Sequence, residues 1–398
     1  MPIELAARLK RVKPSPTVAL TGRVARLRAE GRDIIGLGVG EPDFDTPLHV
    51  AEAGIDAIRR GITRYTPVEG TAELKDAIVA KFRRDNGIEY QRPQILVSTG
   101  AKQTIYNLFL AVINPGDEVV IPAPYWVSYP DIALLAEGTP VTPYGGPEQA
   151  YKITPAQLEK AISPATRLFM LNSPSNPTGA AYTRAELVAF GEVLRRHPRV
   201  LIATDDIYER IYWGSEPFCS FLTACPDLYH RTITINGVSK SYAMTGWRIG
   251  YCGGPAEVIE AMSTIQSQST SNPSSIAQRA ATVALNGDQR CVDEMNTQFR
   301  SRHDFFNAGL NRLPGFSVVP ASGTFYAFCD VRECIRRLRL ADDNALAEFL
   351  LNTAGVAGVP GSGFGAPGHL RFSFAVSRDT LAQALERLGA ALDSAGHS

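Results

Sequence analysis

One stretch of the chain, NGVSKSYAMTGWRIG at residues 236–250, contains a single lysine among small, polar and aromatic residues. Lys240 lies between two serines, and Arg248 follows near the end of the stretch. A lysine held away from other charges can act as a nucleophilic amine toward an aldehyde, and an arginine can bind a phosphate or a carboxylate. Most single lysines are solvated surface residues, so the neighbouring sequence must decide between the two interpretations.

Other residues able to do chemistry follow short apolar runs that have the composition of strands. They are Gly100, Ala101 and Lys102 after residues 94–98, Trp126 after 118–122, Asn176 after 167–172, Asp205 and Tyr208 after 200–205, and Ser239, Lys240 and Arg248 after 232–236. Each has a plainer interpretation alone, since an aspartate after a strand usually belongs to a turn. Because ligands bind beyond the carboxyl ends of parallel strands, the whole set predicts one site.

That set matches the needs of pyridoxal 5′-phosphate. The aldehyde needs an amine, and the ring nitrogen needs a carboxylate partner. The phosphate needs free N–H groups at a helix N-terminus and an arginine. A metal site is not expected, because the six cysteines form no CxxC pair and the six histidines form no HxH or HExxH.

Strand-like and helical segments alternate through most of the chain. The strands predicted at 33–39 and 94–100, the helices at 49–61, 71–87 and 101–113, and the short strands that follow indicate a largely parallel sheet covered by helices. After residue 290 a long helix at 291–313, three strands and helices at 343–354 and 379–393 suggest a smaller α+β unit. We therefore expect an N-terminal arm with part of the small domain at 1–45, a large domain at 46–290 and a small domain at 291–398.

The overall composition excludes several classes of function. Forty basic residues balance forty acidic ones among 398, so no net field attracts nucleic acid or a membrane surface. No apolar stretch reaches the length of a membrane span, and the N-terminus lacks the apolar core of a signal peptide. Scattered, unpaired cysteines are typical of a reducing compartment. A cytoplasmic protein without nucleic-acid or membrane partners is expected.

Seven segments together are similar to the motifs of one family. They are GEPDFDTP (40–47), YTPVEG (65–70), PYWVSYP (124–130), SPSNPTGA (173–180), DDIYE (205–209), SKSYAMTGWRIGY (239–251) and SGTFY (322–326). With them the chain resembles the class I pyridoxal-phosphate aminotransferases of fold type I, nearly from end to end, and among these the bacterial-type aspartate aminotransferases. The resemblance implies a large domain with a mostly parallel seven-stranded sheet, and a smaller α+β domain.

The resemblance also implies roles around the cofactor ring. Lys240 would bond to the aldehyde and then move a proton between the substrate's Cα and the cofactor. Asp205 would pair with the ring nitrogen. Tyr208 and Asn176 would hydrogen-bond the phenolate oxygen, and Trp126 would stack on the ring.

Further roles concern the phosphate and the neighbouring subunit. The residues expected around the phosphate are Gly100, Ala101, Lys102, Ser239 and Arg248, the first two through backbone N–H groups. Tyr65 would reach the same phosphate from a second copy of the chain. The expected assembly is therefore a homodimer with shared active sites.

Substrate binding is expected to depend on Arg371 in HLRFSFA, which would hold the α-carboxylate in a two-pronged fork. A surface arginine on a strand is the alternative, and the apolar neighbours argue against it. Gly38 would add a backbone N–H to the same carboxylate. The resemblance further implies cis peptide bonds before Pro124 and Pro177.

One departure from the enteric and animal aspartate aminotransferases concerns specificity. Where those carry an arginine for the distal carboxylate, QSQSTSNP places Ser267. The segment KPSPT resembles one that folds over the site in the bacterial subgroup, so Lys13, Ser15 and Thr17 are candidate partners for that carboxylate. A disordered basic arm is the alternative.

The predicted reaction is ping-pong transamination between an L-amino acid and a 2-oxo acid. The preferred pair is L-aspartate and 2-oxoglutarate, giving oxaloacetate and L-glutamate, with prephenate as a further substrate. Aminotransferases for aromatic amino acids, alanine or kynurenine stay open, as does a C–S lyase. A sensor domain of a transcription regulator is disfavoured, because only about 30 residues precede the first predicted strand.

Overall fold

The computed structural model describes residues 3–395. Within them the helices are α1 (Pro16–Ala29), α2 (Leu48–Arg59), α3 (Ala72–Lys81), α4 (Ala101–Val112), α5 (Ser128–Leu135), α6 (Pro155–Ala161), α7 (Arg184–Arg195), α8 (Phe221–Ala224), α9 (Ala256–Ser267), α10 (Ser275–Asn286), α11 (Arg290–Leu310), α12 (Arg332–Arg337), α13 (Asp343–Thr353) and α14 (Arg378–Ala395). The strands are β1 (Ile35–Gly36), β2 (Ile95–Ser98), β3 (Glu118–Val120), β4 (Thr139–Val141), β5 (Thr166–Asn172), β6 (Leu201–Asp205), β7 (Thr232–Gly237), β8 (Gly250–Gly253), β9 (Ser317–Val318), β10 (Tyr326–Asp330), β11 (Val356–Ala357), β12 (Val359–Pro360) and β13 (His369–Ser373).

The main sheet of the described chain has seven strands in the order β2-β8-β7-β6-β5-β3-β4. Its strands run parallel except β8, which pairs antiparallel with β2 and β7. In the centre, Met170 of β5 lies opposite Ala203 of β6, which lies opposite Ile233 of β7. The predicted α/β class with a mostly parallel seven-stranded sheet is confirmed.

Both faces of this sheet are buried, as the unbroken apolar runs of its strands indicate. Along β5, Leu168 and Met170 pack into one apolar cluster with residues of α4 and α9. The alternate residues Phe169 and Leu171 pack into another cluster with residues of α7. Because neighbouring strand residues point to opposite faces, one heptapeptide contributes to both layers of the core.

A second sheet of four strands, ordered β12-β13-β10-β9, is antiparallel. Residues of α11, α13 and α14 share its apolar cluster. The short strand β1 pairs in parallel with β11, so the N-terminal segment joins the C-terminal part of the chain. The domain limits at residues 45 and 290 stay a prediction, and residues 396–398 lie outside the described part.

Several elements differ from the sequence-based expectation. The strand predicted at 33–39 is reduced to β1, because the partner strand β11 is only two residues long. The helix predicted at 71–87 ends as α3 at Lys81 and continues as a π-helical turn, Phe82–Asn86, before Gly87 at φ 65°. The cis bonds expected before Pro124 and Pro177 are present, and a third precedes Pro174.

No helix among residues 3–395 combines the length and the apolar character that crossing a membrane requires.

Candidate active site

A cavity of about 340 Å³ is lined by residues that follow the carboxyl ends of the parallel strands. It brings together most of the predicted site residues, namely Ser15, Thr17, Ala101, Lys102, Trp126, Asn176, Asp205, Tyr208, Ser239, Lys240, Arg248 and Arg371. The sequence separates these residues by more than 350 positions. Parallel strands gather them because all their carboxyl ends lie at one edge of the sheet.

Lys240 follows β7 and is only partly exposed at the cavity wall. Its Nζ donates to the carbonyl oxygen of Gly40 at 2.6 Å. Burial lowers the pKa of Lys240 to about 8, against the opposing effect of the Glu41 carboxylate. The amine therefore spends more time neutral near pH 7 to 8 than an exposed lysine does, which suits a nucleophile or a general base.

Asp205, the last residue of β6, is buried at the bottom of the cavity. Its Oδ2 accepts a hydrogen bond from Tyr129 Oη at 2.6 Å, and its Oδ1 accepts one from the Ile207 N–H at 3.3 Å. Burial raises the pKa of Asp205 to about 6, and these two donors and Lys240 oppose the rise. The carboxylate is thus held in one orientation by its neighbours.

Tyr208 lies three residues after Asp205, and its hydroxyl is 2.9 Å from that of Tyr326. Burial raises the pKa of Tyr208 well above its ordinary value, so both phenols are neutral. The Tyr326 ring also lies under the Arg371 guanidinium, at 4.3 Å from the ring centroid. One pair of tyrosines therefore joins the end of β6 to the second sheet.

Arg371 on β13 is almost fully buried, with 2% of its surface exposed. It donates to Asn176 Oδ1 and to the Gly38 carbonyl oxygen, each at 2.7 Å. Its guanidinium lies between the rings of Tyr326 and Phe364, and its Nε has no partner within residues 3–395. The alternative of a surface arginine is wrong, since the charge faces the cavity.

The N-terminus of α4 and Arg248 form a concentrated site for an anion. The backbone N–H groups of Ala101 and Lys102 have no acceptor within the described chain, whereas the Gly100 N–H already donates to Ser98 at 2.8 Å. Free N–H groups at a helix start attract anions. Gly100 has a φ of +85°, which L side chains rarely adopt, and a Cβ there would also displace the Arg248 guanidinium, so glycine is favoured at this position.

Lys102 turns its side chain toward the cavity. Its Nζ lies 4.9 Å from the centre of the Trp126 ring, and no described carboxylate pairs with it. Burial, with the nearby Arg248, lowers the pKa of Lys102. The sequence predicted that Lys102 approaches a phosphate, while the structure also makes its side chain available to another anion in the cavity.

The N-terminal segment lies at the mouth of the cavity. Ser15 and Thr17 line it, and Lys13 lines an adjoining cavity of about 450 Å³. The Lys13 backbone N–H donates to Asp131 Oδ1 at 3.4 Å. Residues 13–17 thus lie beside the site, and their contact with a distal carboxylate stays a prediction.

Four predicted site residues lie off the wall of the main cavity, namely Gly38, Gly100, Tyr65 and Lys13. Gly38 faces Arg371 with its carbonyl oxygen, so its predicted N–H contact with a substrate stays a prediction. Tyr65 is 93% exposed, and in the single chain it contacts no part of the site. Ser267, at the position of the missing arginine, bonds to the Thr264 carbonyl oxygen and lines neither cavity.

Sequence reasoning assigned no role to Tyr129, Tyr326, Asn172 or Glu41. The Asn172 side chain accepts from the Asn176 N–H and donates to the Asp205 carbonyl oxygen, both at 2.8 Å. The Thr245 hydroxyl donates to Glu41. Both tyrosines stand in the motifs PYWVSYP and SGTFY, so the motifs marked their segments without showing which atoms meet.

The comparison with known sequences decides the family. The profile of the family described as aminotransferase class I and II matches residues 32–388 of the 398. This chain belongs to that family. The predicted recognition of a class I aminotransferase is therefore confirmed, and the chain is an enzyme that transfers amino groups.

Individual relatives place the aminotransferase more closely. This chain is 56% identical over 396 residues to the aspartate/prephenate aminotransferase of Nitrosomonas europaea, and the match covers 98% of this chain and 100% of that one. The crystal structure of the aspartate aminotransferase from Rhizobium meliloti superimposes with a TM-score of 0.94 at 46% identity, covering 98% and 99%. The Thermus thermophilus aspartate aminotransferase with maleate gives a TM-score of 0.92 at 41% identity, covering 98% and 100%.

Proposed function

We propose that this aminotransferase uses pyridoxal 5′-phosphate to move the amino group between L-aspartate and 2-oxoglutarate, forming oxaloacetate and L-glutamate in a ping-pong reaction. The observation that carries the proposal is the single cavity shared by Lys240, Asp205 and Arg371. The names of the relatives support aspartate as a substrate, and that of the Nitrosomonas relative supports prephenate as a further one.

The anion site fits the cofactor's phosphate. The free N–H groups of Ala101 and Lys102 would hold it together with Ser239 and Arg248. The missing side chain at Gly100 lets the Arg248 guanidinium lie against the first turn of α4. Within the described residues, no carboxylate accepts from these N–H groups or pairs with Arg248, which donates only to backbone carbonyl oxygens.

The remaining groups fit the cofactor's ring. Trp126 offers a flat face, the Asp205 carboxylate would hold a proton on the ring nitrogen, and Tyr208 and Asn176 would bond the ring oxygen. When bound, the cofactor supplies an electron sink for the negative charge left on the substrate's Cα. A flat aromatic face, a phenol and an amide are not the groups that bind a zinc ion in proteins.

Lys240 is the residue that moves the proton. The Gly40 carbonyl holds its Nζ at the cavity wall, and the pKa lowered to about 8 increases the neutral fraction that can accept a proton from the substrate's Cα. Near neutral pH the same amine, once protonated, can return the proton. A pKa close to the working pH favours both directions.

The charges of the cavity suit a dicarboxylate. Its wall has four cationic side chains, Lys102, Lys240, Arg248 and Arg371, against the two carboxylates Glu41 and Asp205. Arg371 would take the substrate's α-carboxylate, because a planar guanidinium binds two oxygens at once. Lys102, with Ser15 and Thr17 near it, would take the distal carboxylate in place of the absent arginine.

A homodimer with shared sites is part of the proposal. Tyr65 is 93% exposed, and α2 also exposes Leu48, Ile55 and Ile58 at 73%, 47% and 57%. Apolar surface of this kind is typical of an interface between chains. The adjoining cavity reaches Thr99 and Arg248, so a neighbouring chain could bring Tyr65 to the phosphate there.

A cytoplasmic location is also proposed. It is supported by the six cysteines, all of which are unpaired in the structure. Unpaired, mostly buried thiols are typical of a reducing compartment.

Borohydride reduction of the cofactor-loaded protein tests the central assignment. Peptide mass mapping should find the coenzyme attached to Lys240, and Lys240→Ala should lose the attachment while a variant of an exposed lysine, Lys160→Ala, keeps it. Attachment to another residue would overturn the assignment.

A half-reaction assay tests the substrate. Aspartate should convert the visible absorbance to that of the amine form of the cofactor far faster than phenylalanine does. Faster conversion with phenylalanine would favour an aromatic aminotransferase, and ammonia release from a sulfur amino acid without an acceptor would favour a C–S lyase.

A further inference from the structure

A closed ring of buried polar groups lies behind the turn that carries Asp205 and Tyr208. Lys81, the last residue of α3, is ion-paired with Glu209, and its Nζ donates to Asn86 Oδ1 at 2.7 Å. Asn86 Nδ2 donates in turn to Glu209 Oε2 at 2.8 Å. The three side chains expose only 3%, 5% and 5% of their surface, in the order Lys81, Asn86, Glu209. We call these three residues the buried triad.

The π-helical turn Phe82–Asn86 makes the triad possible. A π-turn bonds residues five apart, and Lys81 and Asn86 are five apart, so their side chains meet on one face. The Thr223 hydroxyl donates to the Asn86 carbonyl oxygen at 2.8 Å and holds the turn in place. Turns of this kind are rare and are frequent at functional sites.

On its other side the triad holds an irregular segment. Residues 206–210 form neither helix nor strand, and the Glu209 N–H donates to the Asp206 carbonyl oxygen at 2.9 Å. Glu209 is adjacent to Tyr208 in the chain. A longer contact of 3.8 Å between Arg210 and Asp85 lies alongside. The Glu209 carboxylate is therefore the main polar link between this segment and α3.

Stability alone does not account for a buried ion pair. Removing two charges from water costs several kcal/mol per ion, and apolar residues of similar size are often as stable. What the pair adds is geometric selectivity, because both charges require partners at fixed distances. None of the three residues lines the cavity, so the triad does not bind the substrate directly.

We propose that the buried triad is a positioning device for the active site. By fixing Glu209 it fixes the turn, and the turn sets the places of the Asp205 carboxylate and the Tyr208 hydroxyl. This inference rests on the proposed function, since it assumes that those two groups face the cofactor. Lys81, Asn86 and Glu209 are positioning residues and take no part in the chemistry.

A paired replacement tests the inference in the cofactor-loaded enzyme. Lys81→Met/Glu209→Met removes both charges together and keeps similar volumes. The control is Arg83→Met/Glu89→Met, which removes a neighbouring pair whose side chains are 68% and 62% exposed. The triad variant should lose about tenfold or more in kcat with little change in KM and show a displaced pH titration of the visible cofactor band. Its unfolding temperature should fall, because the buried Asn86 side chain loses both partners, but stay above the assay temperature. The control should match the wild type in all four measurements.

Unchanged kcat and an unchanged titration in the triad variant would overturn the inference. A second result would also overturn it: fewer molecules with a working site, each of which keeps the wild-type kcat. That result would indicate a purely structural role. If the double variant is insoluble, Asn86→Ala replaces it, and it should displace the titration in the same direction by less. An Asn86→Ala enzyme with wild-type kcat and titration would also overturn the inference. Failure of the wild type to attach the coenzyme at Lys240 would instead refute the proposed function.

Discussion

Replacing Tyr129 with phenylalanine would remove one donor from the Asp205 carboxylate and leave the ring in place. Tyr129 Oη donates to Asp205 Oδ2 at 2.6 Å, and the other donor, the Ile207 N–H, is farther away at 3.3 Å. Phenylalanine keeps the edge-on contact with Trp126, whose ring centroid is 5.2 Å from that of Tyr129. The substitution thus changes hydrogen bonding more than packing.

The magnitude follows from the charge on the acceptor. A hydrogen bond to a charged group contributes about 1.5–3 kcal/mol, and about 1.4 kcal/mol corresponds to one pKa unit. Burial already raises the pKa of Asp205 to about 6, and the Tyr129 hydroxyl opposes that rise. Its loss should raise the pKa of Asp205 by about 1 to 2 more, so that near pH 7 the carboxyl of the cofactor-free enzyme is largely protonated.

The assay is the pH dependence of cofactor binding and of kcat/KM between pH 5.5 and 9. In Tyr129→Phe the acid limb of the cofactor-binding curve should move upward by the same amount as the pKa. With cofactor below saturation, kcat/KM at pH 7 should fall about tenfold and recover at higher pH. Tyr129→His, which restores a donor, should recover part of the loss.

Tyr90→Phe is the matched control, because the Tyr90 hydroxyl is also buried but bonds to Thr234, away from the cavity. It should keep the wild-type curves. If Tyr129→Phe keeps the wild-type acid limb and its kcat/KM within about twofold, the hydrogen bond does not control the carboxylate and the reasoning is refuted.

Three further predictions concern the charged groups of the site and its surroundings. Asp205→Ala should lose about 10²-fold or more in kcat while the phosphate contacts keep some cofactor bound; near-normal kcat would refute its assignment. Arg371→Lys should lose about 10²-fold in kcat/KM for aspartate, because lysine cannot bind two carboxylate oxygens in a fork; an equal value would contradict this role. Burial raises the pKa of Asp206 to about 8, so the folded chain holds that proton more tightly than the unfolded chain, and the resulting stability is lost as pH rises from about 4 to 8. In thermal unfolding, Asp206→Asn should therefore be more stable than the wild type at pH 9 and gain less at pH 5, whereas a constant difference would argue against a raised pKa.

The sequence was most informative where one apolar run decides one element. The strand predicted at 167–172 is β5, Thr166–Asn172, and differs from it by one residue. The helices predicted at 49–61 and 101–113 differ from α2 and α4 by two residues or fewer at each end. Helix α1 was not predicted. The length of β1 could not be predicted either, since it depends on its partner β11.

Some site residues could likewise be predicted from the sequence and others could not. Residues directly after a strand, such as Asp205 and Lys240, could be predicted because the strand's direction carries them to the edge of the sheet. Tyr129 and Tyr326 could not be assigned, because their importance lies in hydrogen bonds across 76 and 118 positions of the chain. The link from Lys81 to Glu209 is of the same kind.

By itself the sequence determined the kind of fold and the chemical groups present, because apolar periodicity and residue type act locally along the chain. The tertiary structure alone decided which groups touch, how deeply each charge is buried and therefore how far its pKa moves. Those quantities depend on distances between segments remote in sequence, and packing sets such distances only when the whole chain is folded.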